Sequence, residues 1–114
     1  MKTAQIIRKS DQKVIAKDCL ITENFLDRMK GLMGRSSLHE DEALWILPCN
    51  SIHTFFMNFP IDVVYMDPKG RVLEVHSNLK PWKMHWPKWG ATSVLELPAG
   101  KGVILQQGDE LCIS

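Results

Sequence analysis

Ile61-Asp62-Val63-Val64-Tyr65-Met66-Asp67-Pro68-Lys69-Gly70-Arg71-Val72-Leu73-Glu74-Val75-His76 is the stretch that decides the fold. Its centre, Asp67-Pro68-Lys69-Gly70, has the residues of a β-turn: Asp accepts hydrogen bonds at the first position, Pro presets φ, and Gly adopts a left-handed conformation. The flanking segments Ile61–Met66 and Arg71–His76 are rich in residues that favour strands. The stretch therefore predicts a β-hairpin.

Strand signals recur on both sides of this hairpin. Short segments with β-branched or aromatic residues, each bounded by turn residues, predict six further strands. They are Thr3–Arg8, Lys13–Cys19, Ala43–Leu47, Ser51–Met57, Thr92–Leu97 and Glu110–Ile113.

One segment has a helical period instead. Apolar residues recur at helical spacing from Phe25 onward, which predicts a short helix over about residues 23–33. Thr22 is suited to cap its start, and Gly31 or Gly34 to end it. Consecutive strands with a single helix indicate a mostly β fold, which we expect to be a small antiparallel barrel-like domain.

Composition bounds the class of protein. A chain of 114 residues with 45% hydrophobic and 24% charged residues is typical of one globular domain, here residues 1–114. A net charge of +1 gives no strong nucleic-acid signal and no electrostatic basis for membrane binding. The absence of a long apolar segment or leader predicts a cytoplasmic protein without membrane association. Three widely spaced cysteines predict reduced thiols rather than a disulfide framework.

Three polar residues interrupt apolar strands and are candidates for a site. On the expected strand Ser51–Met57, His53 alternates onto the same face as Met57, while Asp62 and Glu96 stand among apolar neighbours. Buried carboxylates need a cation or several backbone donors. One interpretation is structural pairing, and the other is an acid–base group formed by His53 with Asp62 or Glu96.

A second candidate is the segment from Pro81 to Gly90, which neither helical nor strand periodicity explains. It holds Trp82, Trp86 and Trp89 with interleaved cationic residues, and we expect it to be a long loop. Such aromatic faces stack on saccharides or other ligands, but they also close the end of a small barrel.

Metal and cofactor signals are weak. Cys49, His53 and Met57 are soft ligand types, but the chain has no paired ligand motif for a structural zinc site. It also lacks a glycine-rich phosphate loop and a serine nucleophile motif. We therefore expect no metal and no cofactor.

Three motifs taken together resemble domain-of-unknown-function family 192. They are Arg28–Arg35, Ser51–Asp62 and Leu95–Gly100, in the order in which that family has them. The resemblance covers nearly the whole chain and implies a compact, mostly β, barrel-like domain of bacteria and archaea. It implies no settled activity. The family pattern includes His53, Asp62 and Glu96, which favours a functional pocket near His53.

The leading hypothesis is a binding module for a small polar ligand such as a saccharide. The expected ligand-binding residues are His53, Thr54, Met57, Asp62, Trp86, Trp89 and Glu96. One alternative is a hydrolase-like enzyme in which His53 acts with Asp62 or Glu96 on a water nucleophile. Another is an adaptor that docks a protein partner through the Trp82–Trp89 loop.

Overall fold

The fold is a seven-stranded sheet with a smaller two-stranded sheet beside it. The structure, a computed structural model, describes residues 2–23, 36–54, 57–85 and 87–114. Over these ranges the strands are β1 Lys2–Arg8, β2 Val14–Thr22, β3 Glu42–Ile46, β4 Ile52–His53, β5 Ile61–Met66, β6 Val72–Leu79, β7 Met84–His85, β8 Ser93–Pro98 and β9 Leu111–Ile113. A 3₁₀-helix spans Lys101–Ile104. The mostly β expectation is confirmed.

The large sheet has the strand order β6-β5-β8-β3-β2-β1-β9. Its two outer strands meet through an antiparallel bridge between Arg71 and Glu110. Beside the bridge, the Val72 N–H donates to Asp109 O and the Leu111 N–H donates to Gly70 O. These contacts join the edges of the sheet, and the expected barrel-like closure is present.

The sheet is mixed rather than purely antiparallel, because β2 and β3 run parallel. A parallel pair needs a long crossover, and the chain between Thr22 and Glu42 is long enough to provide one. Residues 24–35, which contain most of the predicted helix with Gly31 and Gly34, lie outside the described residues. Thr22, expected to cap that helix, is buried at the end of β2.

The predicted β5–β6 hairpin is confirmed in detail. The carboxylate of Asp67 accepts from the N–H groups of Lys69 and Arg71 at 2.8 and 2.9 Å. The Gly70 N–H donates to Asp67 O, and Gly70 has φ +78°.

The prediction of one strand over Ser51–Met57 is wrong at Thr54 and Met57, which belong to no strand, and residues 55 and 56 lie outside the described residues. β4 ends at His53, and the carbonyl oxygen of Thr54 accepts from the N–H groups of both Met57 and Trp82. His53 and Met57 therefore do not share one strand face. The loop expected over residues 81–90 contains β7, which pairs with β4.

Two apolar clusters lie on the two faces of the large sheet. The inner cluster has members from every strand of the ring: Ile6, Ile15, Ala16, Cys19, Ala43, Trp45, Val64, Met66, Val72, Leu95, Leu97, Leu105 and Leu111. The outer cluster combines the opposite face with segments that cover it: Leu38, Leu44, Ile46, Met57, Phe59, Ile61, Val63, Tyr65, Leu79, Ala91 and Val94. The covering segments position the candidate site.

Gly70 and Gly108 form a matched pair that tests the closure of the ring. Both have positive φ, but a Cβ at Gly70 would lie 2.5 Å from Leu111 O, whereas a Cβ at Gly108 would meet nothing within 4 Å. We expect Gly70→Ala to lower the free energy of unfolding by about 3 kcal/mol and Gly108→Ala by only about 1 kcal/mol. Urea denaturation measures both, and equal losses would contradict this account of the closure.

Candidate functional site

Thr54 joins the two segments that cover the outer face of the sheet. Its hydroxyl donates to Lys80 O at 2.6 Å and accepts from the Lys83 N–H at 2.8 Å. Its own N–H donates to Lys83 O. The side chain is fully buried, so its hydrogen bonds connect residues 80–83 to the chain that follows β4.

Asp62 is buried and has its carboxylate occupied by backbone donors. It accepts N–H groups from Asn78 at 2.7 Å, Gly100 at 2.9 Å and Gly102 at 2.7 Å. A Cβ at Gly102 would lie 2.9 Å from Asp62 Oδ2, which explains why a glycine suits that position. Asp62 therefore ties β6 and the turn after β8 to the start of β5.

Asp62 and Glu96 face opposite sides of the sheet. Residues directly opposite each other in a strand pair share a face, and Asp62 lies opposite Leu97 while Glu96 lies opposite Val63. Asp62 is thus on the face of the inner cluster and Glu96 on the face of the outer cluster. The structure does not bring these two carboxylates into one pocket.

Glu96 lies on the covered outer face of the sheet, and Met57 packs in the outer cluster on that side. Leu44, Glu96, Val63 and His76 lie in one row across the neighbouring strands β3, β8, β5 and β6. Glu96 is completely buried. This row brings Glu96 onto the same sheet face as a histidine, but that histidine is His76 rather than the predicted His53.

Two of the predicted site residues have side chains that lie outside the described parts of the structure. Trp86 and the side chain of His53 are not among the described parts of the chain. The backbone of His53 pairs with Met84. The backbone of His53 therefore lies next to the tryptophan-rich segment, residues 81–90, to which Met84 belongs.

Trp89 stands at a groove of about 800 Å³. Its side chain is 96% exposed. The lining residues are Asn50, Pro68, Pro87, Lys88, Trp89, Gly90, Ala91 and Thr92. The groove combines an aromatic ring and proline rings with an amide, an ammonium group and a hydroxyl, which are the lining types of a small-molecule site.

A group of polar side chains that includes Lys88 of this groove was not predicted from the sequence. We call Tyr65, Glu74, His76, His85 and Lys88 the histidine cluster. Glu74 Oε2 lies 3.1 Å from Lys88 Nζ, and Glu74 Oε1 lies 3.0 Å from His76 Nε2. The His76 ring lies 5.5 Å from the Tyr65 ring and 5.8 Å from the His85 ring, between centroids.

A sequence signal for part of this cluster exists. Glu74 and His76 are two residues apart on β6, and the turn at Asp67 sets the register that pairs Tyr65 with Glu74. Tyr65, Glu74 and His76 could therefore have been placed on one face. His85 and Lys88 reach the cluster only because the segment after β6 folds back over the sheet.

The electrostatics of the cluster favour neutral forms of its innermost groups. Burial, the Cys49 thiol and the carboxylates of Glu74 and Glu96 raise the pKa of Tyr65 to about 12. Burial and the neighbouring His76 lower the pKa of His85 below its ordinary value. The hydrogen bond from Lys88 contributes most to holding the pKa of Glu74 below its usual range.

Among the described residues, no group of three or more His, Cys, Asp and Glu side chains is arranged to hold a metal ion. No helix within those ranges has the length and apolar character needed to cross a membrane.

The sequence profile of DUF192, described as "Uncharacterized ACR", matches residues 6–113. The chain belongs to the DUF192 family. It is 33% identical over 100 residues to a UPF0127 protein of Thermococcus sibiricus, a match that covers 83% of this chain and 64% of that protein. It is also 36% identical over 91 residues to a UPF0127 protein of Pyrococcus abyssi, covering 75% of each chain.

Two crystal structures share the fold of this DUF192 member. One is a protein of unknown function from Novosphingobium aromaticivorans, with a TM-score of 0.74 and 23% identity over 96% of this chain and 83% of that one. The other, from Sinorhizobium meliloti and provisionally described as a transcription regulator, has a TM-score of 0.76 and 20% identity over 97% of this chain and 92% of that one. Identities this low support the fold alone.

The role of Asp62 is tested by Asp62→Asn. An amide in place of the carboxylate loses the charge and turns an N–H₂ group toward backbone donors, so we expect a loss of about 3 kcal/mol in the free energy of unfolding. The exposed Asp18→Asn is the control and should change stability by less than about 0.5 kcal/mol. A loss at Asp62 as small as that of the control would show that these hydrogen bonds do not support the fold.

His85 gives the DUF192 protein a distinct pH dependence. Because its pKa is lower in the folded state, the unfolded state binds more protons, and stability should fall as pH drops below about 6.5, the unfolded value. The pKa of Asp11, lowered to about 2 chiefly by its hydrogen bond from Arg8, affects stability only below about pH 4.

Denaturation midpoints between pH 7.5 and 5 measure the effect of His85. The variant His85→Gln, which does not titrate, should show a shallower decline than the wild type over this range. An unchanged slope would assign the decline to other groups.

Proposed function

We propose that this DUF192 protein is a binding module for a small polar ligand, a saccharide, held in the groove beside Trp89. The observation that supports this most directly is the 96% exposed indole of Trp89 at a groove of about 800 Å³. A large aromatic side chain exposed to this extent is costly in water, and stacking on the apolar face of a sugar ring covers it.

The remaining lining of the groove fits the polar edges of the same ligand. The amide of Asn50, the hydroxyl of Thr92 and the ammonium of Lys88 offer both donors and acceptors. A sugar presents hydroxyl groups around its ring, and these can pair with such groups while the ring stacks on Trp89. The near-neutral net charge of +1 favours an uncharged ligand over a polyanion such as a nucleic acid.

The adaptor hypothesis has its own support in the same segment. Trp82, Met84 and Trp89 are 59%, 71% and 96% exposed, and they occur within eight residues. A protein partner would cover several of these side chains, whereas a saccharide in the groove would contact Trp89. The two functions therefore differ in their dependence on Trp82.

The hydrolase hypothesis has weaker support. The Asp62 carboxylate already accepts three backbone N–H groups, and Glu96 lies on the other face of the sheet. An acid–base role with His53 would fall to Glu96, which is fully buried.

Trp89→Ala tests saccharide binding, with Trp82→Ala as the matched control from the same segment. A panel of neutral mono- and oligosaccharides is titrated into each protein, and binding is followed by calorimetry and by the tryptophan indole N–H signals in NMR spectra. Loss of the stacking surface should weaken binding about tenfold in Trp89→Ala, which corresponds to about 1.4 kcal/mol. Trp82→Ala should bind as the wild type does.

Two outcomes would overturn the saccharide proposal. One is that no sugar of the panel binds at millimolar concentration. The other is that Trp89→Ala and Trp82→Ala lose affinity equally, which would indicate a broad surface and favour the adaptor.

A further inference from the structure

A second cavity, of about 350 Å³, lies at one end of the ring of strands, and we call it the mouth cavity. Its lining includes Glu23, Leu47 and Asp67, which directly follow the last residues of β2, β3 and β5. It also includes Ser93, the first residue of β8. The four strands are neighbours in the sheet, so these residues mark one end of the ring. Mouths of β-barrels are common places for ligand sites.

Trp45 forms the inner wall of the mouth cavity. It lines the cavity and also belongs to the inner cluster, with 8% of its surface exposed. Its buried Nε1 has no hydrogen-bond partner among the described residues. Buried indole N–H groups in folded proteins usually have an acceptor. The cavity thus has an aromatic surface at its inner end, and the same side chain carries a donor without a partner.

Two carboxylates lie on the rim of the mouth cavity, those of Glu23 and Asp67. The Asp67 Oδ1 atom accepts the N–H groups of Lys69 and Arg71 in the hairpin turn, and Oδ2 takes no part in these bonds. The hydrogen bond from the Arg71 N–H contributes most to holding the pKa of Asp67 below its ordinary value, so this group is ionised at neutral pH. An ionised carboxylate only accepts hydrogen bonds, and a sugar hydroxyl can donate them.

The charge of the mouth cavity distinguishes between classes of ligand. Its described lining contains these two carboxylates but no Lys, Arg or His, so a phosphate or carboxylate group is disfavoured there. Hydroxyl groups, by contrast, donate to carboxylates, and the carbon face of a sugar ring packs against an indole. The combination of an indole with carboxylate acceptors therefore fits a sugar unit.

The mouth cavity adjoins the groove beside Trp89. Pro68 and Thr92 line both of them. A third cavity, of about 320 Å³, shares Asn50 and Thr92 with the groove and Pro48 and Thr92 with the mouth cavity. Thr92 is exposed and stands where the three cavities meet. A ligand longer than one sugar ring can therefore extend from Trp89 over Thr92 to the mouth cavity.

We propose that the ligand of this DUF192 protein is a linear oligosaccharide, with one unit stacked on Trp89 and another unit in the mouth cavity. In the mouth cavity, hydroxyl groups of the sugar donate to the carboxylates of Glu23 and Asp67, and its ring packs toward Trp45. This inference rests on the function proposed above and names the class of saccharide that the site takes. A monosaccharide occupies the groove alone.

Affinity as a function of chain length is the first test. The probes are glucose, cellobiose and cellotetraose, and N-acetylglucosamine with its dimer and tetramer, each titrated into the wild type by calorimetry. We expect the tetramer of the sugar that binds to exceed its monomer in affinity by more than about tenfold, because only an oligomer contacts both cavities. An affinity that rises only in proportion to the number of units per chain would overturn the inference.

Indole N–H signals in NMR spectra report which cavity each probe occupies. The signals are assigned from the spectra of Trp45→Phe and Trp89→Ala. We expect the monomer to shift the Trp89 signal alone, and the tetramer to shift the signals of both Trp89 and Trp45. A tetramer that binds without shifting the Trp45 signal would contradict occupation of the mouth cavity.

Glu23→Ala removes a carboxylate from the rim, and Glu40→Ala is the matched control. Both glutamates are exposed, and Glu40 is not among the residues that line the three cavities. Glu23→Ala should bind the tetramer about fivefold more weakly than the wild type, the effect of one hydrogen bond, and should bind the monomer unchanged. Glu40→Ala should bind both probes as the wild type does. Equal affinities of the two variants for the tetramer would overturn the assignment of Glu23 to the site.

The two proposals fail in different ways. If monomer and tetramer both shift only the Trp89 signal and Glu23→Ala binds them normally, the oligosaccharide inference is wrong and the binding module stands. If the tetramer shifts the Trp45 signal in a Glu23-dependent manner but Trp89→Ala binds it equally well, the groove assignment is wrong and the mouth cavity remains a saccharide site. If no probe binds at millimolar concentration, the proposed function fails and the inference that rests on it fails as well.

Discussion

The burial of β5 on both faces is the constraint on which the rest of the structure depends. Each of its six side chains, from Ile61 to Met66, is buried. In an isolated sheet one face would meet water, so both faces of this strand need a covering layer. Closure of the ring buries Val64 and Met66, and the segments after β4 and β6 cover Tyr65 and its neighbours on the outer face.

The covering layer brings polar groups into contact with an apolar sheet face, and this creates the candidate site. Thr54 holds the layer through hydrogen bonds to residues 80–83, and β4 pairs with β7 within it. The His85 ring of this layer lies 5.8 Å from the His76 ring of the sheet, between centroids.

The two buried carboxylates show how similar sequence contexts lead to different roles. Asp62 and Glu96 both interrupt apolar strands, and the sequence predicted that each meets a cation or several backbone donors. Asp62 does so with three N–H groups of the backbone, a structural role. Glu96 lies on the opposite face, in line with His76. The pairing register of β5 and β8 puts the two carboxylates on opposite faces of the sheet. Alternation within a single strand does not specify that register.

The sequence by itself determined the hairpin around Asp67, most strand positions and the family, because turn chemistry, β-propensity and motif order are local properties of the chain. It also selected the tryptophan-rich segment, which carries Trp89. Tertiary structure alone decided that β2 and β3 pair in parallel, that β4 ends at His53, and that His85 and Lys88 meet His76 and Glu74. These features depend on contacts between residues distant in sequence, and local periodicity carries no information about which distant segments meet.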